Sequence, residues 1–286
     1  MIASVFFARL IGGLFPTIST KILYKTNFNK KLNLKNPITL NEKILWLKLN
    51  DFKDNMLVTK CADKYLVREY IKSKGLENLL VELYSVHDTY KSIEFDNLPN
   101  SFVLKCNHAA GYNIICRDKS QLIKKVFYKQ IKTWYKSDFW RKYTEIHYKR
   151  INKKIVIERI LLDEQNQLPN DFKFYCFNGE PFCVMVCVER NTKKPKFYYY
   201  DKSWNLLKLS KDSFDNPDIK LRKPAKIDAM FEYARILSKD FKFVRVDFYS
   251  IEDRVYFGEL TFTPSAGLDT SRLQQTDFIL GEKLLL

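Results

Sequence analysis

Glycine and proline are scarce in this chain, with 8 and 9 residues among 286. The sequence contains neither a G-x-G-x-x-G segment nor a G-x-x-x-x-G-K-[ST] segment, the glycine-rich loops that hold phosphates in dinucleotide-binding folds and in P-loop proteins. The sequence therefore excludes those two classes of nucleotide-binding protein. An apolar content of 46%, with 15% aromatic residues, also excludes a disordered chain.

Cysteine and histidine, the usual zinc ligands, are few and scattered. The six cysteines form no C-x-x-C pair, and the three histidines lie far apart in the chain. A structural zinc site is therefore not expected. Unpaired cysteines in apolar surroundings suit a reducing cytoplasm, and Cys176, Cys183 and Cys187 are expected as small core residues of strands.

The chain has no long uninterrupted apolar run. Its most apolar segment, residues 2–23, is broken by Arg9, by a pair of glycines and by Pro16, so it is not expected to span a membrane. It also lacks the small-residue cleavage site of a signal peptide. With Arg9, Lys21 and Lys25 around it, the segment could lie against the anionic inner face of a membrane. Packing onto its own domain or onto a partner is the alternative.

Acidic residues are outnumbered by basic ones. The 49 lysines and arginines against 33 aspartates and glutamates give a net charge of +16 and an isoelectric point near 9.4. Such a charge implies anionic partners, namely nucleotide phosphates, acidic glycans, nucleic acids or anionic membrane surfaces. Because no RRM, OB-fold or helix-turn-helix pattern is present, a nucleic-acid partner is not expected.

The order of the predicted elements indicates an α+β fold. A helical segment over residues 1–75 precedes a small mixed unit over 76–150 and a larger mixed unit over 151–286. One predicted helix covers 57–71, where Lys60, Asp63, Lys64 and Arg68 form a polar stripe that is expected to face solvent. Another covers 227–237. Strands are predicted near 79–84, 101–105, 114–116, 154–161, 172–177, 181–188 and 197–200, with Asn178-Gly179 as a hairpin turn.

The most informative stretch is a predicted β-hairpin near the C-terminus. Residues 245–249 and 255–264 alternate with period 2, and the five residues between them are typical of a loop. In that register Arg245 opposes Glu259, and Asp247 shares their face with the two carboxylates about 7–8 Å apart at Cβ. Mg²⁺ prefers carboxylate oxygens and takes its remaining ligands from phosphates and water. The hairpin therefore predicts a magnesium site, and a solvated face with one salt bridge is the alternative.

A second candidate segment lies in the small unit. The strand over 101–105 ends at Lys105 and runs into the loop 106–113, which is made of small, amide and aromatic residues and precedes a return strand. Such a loop can close its backbone N–H groups over phosphates. The basic and aromatic residues over 118–150 can bind nucleic acid or sugars, but this composition more often forms an amphipathic helix whose lysines extend into solvent.

Taken together, these segments resemble the ATP-grasp superfamily and, within it, the TupA-like family of teichuronopeptide biosynthesis. The matching stretches are spread over nearly the whole chain: Asn36-Pro37, Asn41-Glu42-Lys43, Thr59-Lys60-Cys61-Ala62-Asp63-Lys64, Val103-Leu104-Lys105-Cys106-Asn107-His108, Asp171-Phe172-Lys173-Phe174, Arg245-Val246-Asp247-Phe248 and Phe257-Gly258-Glu259-Leu260-Thr261. The resemblance implies a nucleotide held between two mixed α+β subdomains, with a helical N-terminal segment.

The resemblance also implies roles for individual residues. Lys105 looks like the first phosphate-contacting lysine, the loop 107–113 like a lid, and the backbone of 157–160 like the edge that faces adenine. The implied nucleotide-binding residues are Lys105, Asn107, His108, Gly111, Glu158 and Ile160. The implied catalytic residues are Arg245, facing the transferred group, and Lys173, and the implied Mg²⁺ ligands are Asp247, Glu259 and Thr261. Thr261 stands where many ATP-grasp enzymes carry asparagine, and the lid is poor in glycine.

An ATP- and Mg²⁺-dependent carboxylate–amine ligase is the activity that the resemblance implies. In this chemistry a carboxylate attacks the γ-phosphate of ATP, and an amine then displaces phosphate from the acylphosphate to give an amide. The expected partners are an acidic saccharide or lipid-linked glycan, such as a uronic acid of a cell-surface polysaccharide, and an amino acid or other amine. The expected location is the cytoplasm, with peripheral contact at the inner membrane face.

Two other functions stay open at this point. A glycosyltransferase of capsular or O-antigen polysaccharide synthesis is the main alternative, although the sequence shows no clear D-x-D motif at a strand end and no Rossmann-like alternation of strands and helices. A non-catalytic nucleic-acid-binding protein is permitted by charge and aromatic content, but no sequence pattern supports it.

Overall fold

The computed structural model describes residues 2–190, 192 and 194–286, with side chains from residue 5 onward. Its α-helices are α1 (Ile2–Ile11), α2 (Pro16–Phe28), α3 (Leu40–Asn50), α4 (Met56–Ala62), α5 (Val67–Ser73), α6 (Lys124–Lys136), α7 (Lys211–Asp215), α8 (Ile227–Ser238) and α9 (Gln274–Glu282). Its strands are β1 (Leu83–His87), β2 (Phe102–Cys106), β3 (Asn113–Cys116), β4 (Ile155–Glu158), β5 (Asp171–Phe177), β6 (Glu180–Val188), β7 (Lys196–Tyr200), β8 (Leu206–Leu207), β9 (Phe243–Ile251) and β10 (Arg254–Thr261).

The first sheet has four antiparallel strands in the order β1-β4-β2-β3. Alternate residues of β2 (Phe102, Leu104 and Cys106) are fully buried and pack with Phe127 and Ile131 of α6. The predicted amphipathic helix within 118–150 is therefore confirmed over residues 124–136. Because β4 belongs to this sheet, the division expected at residue 150 does not coincide with the division between the two sheets. The strand predicted over 79–84 begins only at residue 83, since residues 77–79 form a 3-10 turn.

The second sheet has six antiparallel strands in the order β10-β9-β5-β6-β7-β8. The Asn178-Gly179 turn between β5 and β6 is confirmed, and both of its residues have positive φ (50° and 86°) as a tight hairpin turn requires. Helix α8 covers one face of the sheet with Met230, Phe231 and Ala234. Two mixed units of sheet and helix therefore confirm the α+β class. All six cysteines are buried and unpaired, so the strand cysteines are core residues as expected.

The helix predicted over 57–71 is wrong as a single element. It ends at Ala62 and restarts at Val67, because Asp63 has extended backbone angles (φ −73°, ψ 114°). The Asp63 carboxylate accepts hydrogen bonds from the N–H groups of Tyr65 and Leu66, at 2.8 and 3.2 Å. A side chain that bonds its own backbone in this way competes with the helix and favours a turn. The break turns the next residue, Lys64, toward the second sheet.

The register predicted for the C-terminal hairpin is also wrong. Its turn is centred on Glu252-Asp253, and β9 and β10 pair regularly until a bulge at Gly258. Beyond the bulge Asp247 pairs with Glu259 and Arg245 pairs with Thr261, so the two carboxylates are direct rather than diagonal neighbours. A side chain at position 258 would bring a Cβ within 2.9 Å of the Asp247 carbonyl oxygen. Glycine therefore permits the close approach that produces this register.

The turn after β10 is held by a buried polar network. The ammonium group of Lys48, on α3, donates to the carbonyl groups of Tyr143 and Ala266 at 2.9 and 3.3 Å. The Thr263 hydroxyl donates to the buried Glu145 carboxylate at 2.6 Å. Burial lowers the pKa of Lys48 to about 8, partly opposed by the charge of Glu145, and burial raises the pKa of Glu145.

The network fixes an unusual backbone. Ser265, Ala266 and Gly267 have φ of 50°, 59° and 75°, so three successive residues are left-handed. Such a conformation costs roughly 1–2 kcal/mol for each residue other than glycine, and it persists only where surrounding contacts hold it. The Lys48–Ala266 hydrogen bond is one of those contacts, and the turn it holds lies directly after the Asp247–Glu259 hairpin.

The N-terminal helices form a hairpin that packs on the rest of the protein. Residues Ala8, Leu23 and Tyr24 pack against Leu45 of α3 and Leu268. A buried hydrogen bond of 2.9 Å also joins the hydroxyl groups of Ser19 and Thr144. Within the described residues, no helix is both long and apolar enough to cross a lipid bilayer.

Replacing Lys48 tests the buried network. We expect Lys48→Met to lower the free energy of unfolding by about 3–5 kcal/mol, because the Tyr143 and Ala266 carbonyl groups would lose their donor and the Glu145 carboxylate would remain buried without the nearby charge of Lys48. Adding Glu145→Gln should restore part of that loss, since the amide is neutral and its oxygen can still accept the Thr263 hydroxyl. Chemical denaturation of the two variants at neutral pH measures both values. A double variant as unstable as Lys48→Met would contradict an electrostatic coupling between Lys48 and Glu145.

The pH dependence of the same contribution has a defined sign. The pKa of Lys48 is about 8 in the folded chain against its ordinary value of 10.5, so between these values the unfolded chain binds more protons than the folded one. The contribution of Lys48 to the free energy of unfolding should therefore rise by up to about 1.4 kcal/mol per pH unit across this range. The difference in the free energy of unfolding between Glu145→Gln and the double variant at pH 8, 9 and 10 isolates the contribution of Lys48. A difference that does not change with pH would contradict a lowered pKa of Lys48.

Candidate active site

A cleft separates the two sheets where β2 and β3 face β5, β9 and β10. Its polar part is a cavity of about 190 Å³. The lining residues come from both sheets, from the segment before α5 and from the loop between β2 and β3: Lys64, Lys105, Gly111, Tyr112, Asn113, Asp171, Lys173, Arg190, Asp247, Tyr249, Gly258 and Glu259. Residues distant in sequence therefore meet in one charged cavity.

Strand alternation places the charged residues of the second sheet in this cavity. Along β9 the residues Val244, Val246 and Phe248 are completely buried in the core that α8 covers, whereas Asp247 lines the cavity and Arg245, on the same face of the strand, is bonded to it. Lys173 of β5 pairs with Asp247 across the sheet. The predicted residues of the two strands therefore share one face.

The carboxylate of Asp247 is the centre of this group. It is 1% exposed, and Arg245 donates to both of its oxygens at 2.7 Å, in a bidentate pair. The Lys173 ammonium donates to Asp247 Oδ2 at 2.8 Å and to Asp171 Oδ2 at 2.5 Å. Burial raises the pKa of Asp247, and the adjacent charges of Arg245 and Lys173 counteract that rise.

Glu259 is more open to the cleft, with its side chain 39% exposed. Its Oε1 accepts the Thr261 hydroxyl at 2.9 Å, and its Oε2 lies 3.6 Å from the Lys64 ammonium. Burial alone would raise the pKa of Glu259, but the charges of Lys64, Arg245 and Lys173 lower it to about 2. Glu259 is therefore an anion at any physiological pH.

The first sheet contributes a second charge cluster. The Lys105 ammonium lies 2.6 Å from Glu158 Oε2, and the Arg68 guanidinium lies 3.2 Å from Glu158 Oε1. Burial alone would lower the pKa of Lys105, but the Glu158 carboxylate raises it. Lys105 and Glu158, which the resemblance gives as nucleotide contacts, therefore lie side by side.

An apolar slot of about 80 Å³ continues the cavity beside β4. Ile160, which the sequence predicts as a nucleotide contact, lines it together with Leu161 and Tyr249. The two spaces share the lining residues Lys105, Asn113, Arg190 and Tyr249. The cleft therefore offers an apolar end and a charged end in continuous contact.

Two of the predicted nucleotide contacts, Asn107 and His108, line neither the cavity nor the slot, and neither do the predicted site residues Arg245 and Thr261. The Asn107 side chain is completely buried, where its amide nitrogen donates to Asp63 and to the Asn152 carbonyl at 2.9 Å and its oxygen accepts the Lys154 N–H at 2.7 Å. His108 is 3% exposed, and burial lowers the pKa of its ring to about 4. Asn107 thus joins three chain segments, whereas Gly111 of the same loop lines the cavity.

Sequence reasoning missed several residues of the cleft. Lys64 and Arg68 were expected on a solvated face, yet their side chains are only 16% and 15% exposed and point toward the charge clusters. Arg190 was not considered; it donates to the Pro169 carbonyl at 2.8 Å and lies over the Tyr249 ring. No pattern in the sequence could have indicated it.

Asp171 was missed although a signal was present. It lies two residues before Lys173 on one strand, and the period of two places both on the same face. Its Oδ1 is buried and has no hydrogen-bond partner among the described residues. A buried carboxylate oxygen without a donor is costly, and a ligand or cation in the cavity would supply the missing partner.

The arrangement suits a divalent cation that is shared with an anionic ligand. Within the described part of the chain, no three Asp, Glu, His or Cys side chains converge as a complete metal site. Asp247 and Glu259 pair directly across two strands, with the Thr261 hydroxyl beside Glu259. Two carboxylates and a hydroxyl fit Mg²⁺ when a phosphate-bearing ligand provides further oxygens.

Comparisons with known proteins identify the family of this chain. The model of the TupA-like ATPgrasp family matches residues 42–285. No protein with a curated function is significantly similar in sequence. Among solved structures, D-alanine–D-alanine ligase from Bacillus anthracis in complex with ATP is 15% identical, with a TM-score of 0.44 over 76% of this chain and 58% of that chain.

Two further structural neighbours have similar scores. D-alanine–D-alanine ligase from Helicobacter pylori is 16% identical, with a TM-score of 0.41 over 80% of this chain and 62% of that chain. The ATP-grasp ligase PsnB in complex with a minimal precursor is 10% identical, with a TM-score of 0.40 over 86% of this chain and 68% of that chain. This chain spans about three fifths of the two D-alanine–D-alanine ligases. Because the family model covers most of the sequence, the chain belongs to the TupA-like ATP-grasp family.

Proposed function

We propose that the protein is an ATP-dependent carboxylate–amine ligase that forms an amide through an acylphosphate. The observation that carries this proposal is the meeting of two charge clusters across one cleft. Lys105 and Glu158 come from the first sheet, and Lys173, Asp247 and Glu259 come from the second. A cleft of this kind suits a nucleotide triphosphate, whose charged phosphates and apolar base need different surroundings at adjacent positions.

The two parts of the cleft would bind different parts of the nucleotide. Adenine would occupy the apolar slot beside Ile160 and Tyr249, and the phosphates would lie in the charged cavity. The cations available to the phosphate oxygens are Lys64, Lys105, Lys173, Arg190 and Arg245. Phosphoryl transfer depends chiefly on positioning and charge neutralisation, which such groups provide.

Asp247, Glu259 and Thr261 would hold Mg²⁺. The bound ion would neutralise charge on the phosphate oxygens of ATP. Glu259 is already ionised, because the charges of Lys64, Arg245 and Lys173 lower its pKa to about 2, and Asp247 is held by Arg245 and Lys173. With Mg²⁺ held by these side chains, the three cations would be available to phosphate or substrate oxygens.

The proposed reaction has two steps. One carboxylate oxygen of the substrate bonds to the γ-phosphorus while the bond from that phosphorus to the β,γ-bridging oxygen breaks, and ADP leaves. The amine nitrogen then bonds to the acyl carbon, the acyl–oxygen bond to phosphate breaks, and the nitrogen loses its proton. Arg245 would face the transferred group, Lys173 would contact phosphate or substrate, and closure of the accessible part of the loop, residues 110–113, would keep water from the acylphosphate.

The substrates are proposed from the family and the charge. A uronic acid of a cell-surface polysaccharide, free or lipid-linked, would supply the carboxylate, and an amino acid or other amine would supply the nitrogen. The net charge of +16 supports an acidic saccharide as partner. Such a reaction would take place in the cytoplasm, where ATP is available.

Isotope transfer tests the proposed mechanism. The protein would be incubated with Mg²⁺, ATP, a panel of unlabelled amino acids, and a panel of uronic acids. Only the carboxylates of the uronic acids would carry oxygen-18. We expect phosphate release that requires both a uronic acid and an amine, with one oxygen-18 atom in each phosphate, because the carboxylate oxygen leaves with it. Amide product formed with unlabelled phosphate would contradict the acylphosphate, and sugar transfer from a nucleotide sugar without ATP would instead indicate a glycosyltransferase.

Replacing the proposed metal ligands tests the hairpin. In Asp247→Asn and Glu259→Gln we expect thermal stabilisation by ATP to lose its dependence on Mg²⁺, since an amide binds the ion far less well than a carboxylate. Asp247→Asn should also lower the free energy of unfolding by about 3–5 kcal/mol, because Arg245 and Lys173 lose a buried counter-charge. Matched controls are Asp253→Asn and Glu252→Gln, the same changes at the exposed tip of this hairpin. Unaltered metal dependence in both cleft variants would contradict the assignment.

Replacing Lys64 tests whether a cleft residue that the sequence did not predict takes part in nucleotide binding. We expect Lys64→Met to weaken Mg²⁺-ATP binding by about 10- to 150-fold, since one charge-assisted contact contributes about 1.5–3 kcal/mol. It should also raise the pKa of Glu259, because Lys64 is the strongest of the charges that lower it. Lys60→Met is the control, as Lys60 is 40% exposed and pairs with Glu69. Calorimetric titration with Mg²⁺-ATP measures the affinity of each variant. Equal affinities of the two variants would exclude Lys64 from the site.

A further inference from the structure

The helical hairpin of α1 and α2 exposes a continuous group of large apolar side chains. Each of these side chains is more than half exposed: Phe6, Phe7, Leu10, Leu14, Phe15 and Ile18. Leu14, in the turn between the helices, is the most exposed of them at 81%. Single exposed apolar residues are common, but a contiguous group on one element marks an interaction surface.

The opposite face of the hairpin is fixed to the protein, so the apolar group cannot turn inward without unfolding it. Ala8 and Leu23 are 0% and 1% exposed against the α3 side. Gly12 lies so close to Ser19 and Thr144 that an added Cβ would be 3.2 Å from each hydroxyl oxygen. The exposed face is therefore a permanent feature of the folded protein.

The charges around this face are predominantly basic. Residues 2–41 contain no aspartate or glutamate, and their basic residues are Arg9, Lys21, Lys25, Lys30, Lys31 and Lys35. The folded chain adds Arg141 at the tip, where its guanidinium would lie 3.5 Å from a Cβ at Gly13. Arg141 and Lys142 are both exposed. Asp138 lies 3.3 Å from Arg141 at the tip, but the basic residues outnumber it. An apolar face with a predominantly basic surround is complementary to an anionic surface that also has an apolar interior.

We propose that the α1–α2 hairpin docks the protein on the surface of an anionic lipid bilayer. The apolar side chains would enter the boundary between headgroups and acyl chains, and the lysines and arginines would contact lipid phosphates. A second copy of this chain is a poorer occupant, because its identical face would bring the same basic residues together. The inference does not rest on the proposed ligase activity.

Docking of this kind would also orient the cleft. The hairpin is bonded through Ser19 to Thr144, and the next residue, Glu145, accepts the hydroxyl of Thr263 after β10. Leu268, beyond the left-handed turn, packs in the same small core as α1 and α2. The bilayer would therefore hold a fixed position relative to the end of the candidate active site.

Vesicle co-sedimentation of the whole protein tests the proposal. We expect binding to vesicles of phosphatidylcholine mixed with phosphatidylglycerol and little binding to phosphatidylcholine alone. Lys21→Glu/Lys25→Glu should weaken binding by at least roughly 25-fold, since each basic residue near an anionic surface contributes about fivefold. The matched control is Lys202→Glu/Lys211→Glu, which makes the same charge change at exposed positions near β7 and β8.

The apolar contribution is tested separately. Leu14→Ser/Phe15→Ser should lose most vesicle binding, whereas Ile123→Ser/Val126→Ser, at exposed positions near α6, should retain it. If Leu14→Ser/Phe15→Ser fails to fold, Lys21→Glu/Lys25→Glu still tests the proposal. Lys21 and Lys25 are exposed, so their replacement should leave the fold intact. Equal binding to neutral vesicles, full binding by the charge variant, or a dimer in sedimentation velocity that Leu14→Ser/Phe15→Ser dissociates would each overturn the proposal.

Discussion

Mutual neutralisation of buried charges is the constraint on which the rest of this structure depends. Asp247 is almost completely withdrawn from water, and it is held by the guanidinium of Arg245 and the ammonium of Lys173. An unpaired ion in such a place costs several kcal/mol, so these residues can be buried only as a set. Strands β5 and β9 must pair in one register for that set to form. The fold of the second sheet and the chemistry of its cleft face are therefore inseparable.

The first sheet follows the same rule on the other side of the cleft. Lys105 and Arg68 neutralise Glu158, and Lys64 approaches Glu259 of the opposite sheet. In the proposed function, a metal ion would take over the carboxylates and the released cations would turn to phosphate oxygens. In that function the ion pairs of the cleft would hold each group near the position that ligand binding requires, which would lower the cost of ordering the site.

Much of the fold follows from local sequence signals, whereas the details of the site depend on contacts between distant segments. Period-2 alternation located β5, β6, β9 and β10, and Asn178-Gly179 located a turn, because these signals lie within a few residues of one another. The Gly258 bulge altered the hairpin register because a close approach to the Asp247 carbonyl is visible only in the folded sheet. The break at Asp63 and the inward position of Lys64 depend likewise on Asn107, 44 residues later. Arg190 reaches the cleft through a loop contact that no periodicity encodes.

The most direct test of the central claim is the thermal unfolding of the unmodified protein with different nucleotides, with and without Mg²⁺. A ligand that binds only the folded state raises the unfolding temperature by mass action. We expect a rise of several degrees with ATP and Mg²⁺ together, a smaller rise with ATP alone, and none with UDP- or GDP-sugars. A rise with a nucleotide sugar and none with Mg²⁺-ATP would contradict the assignment of this cleft to ATP.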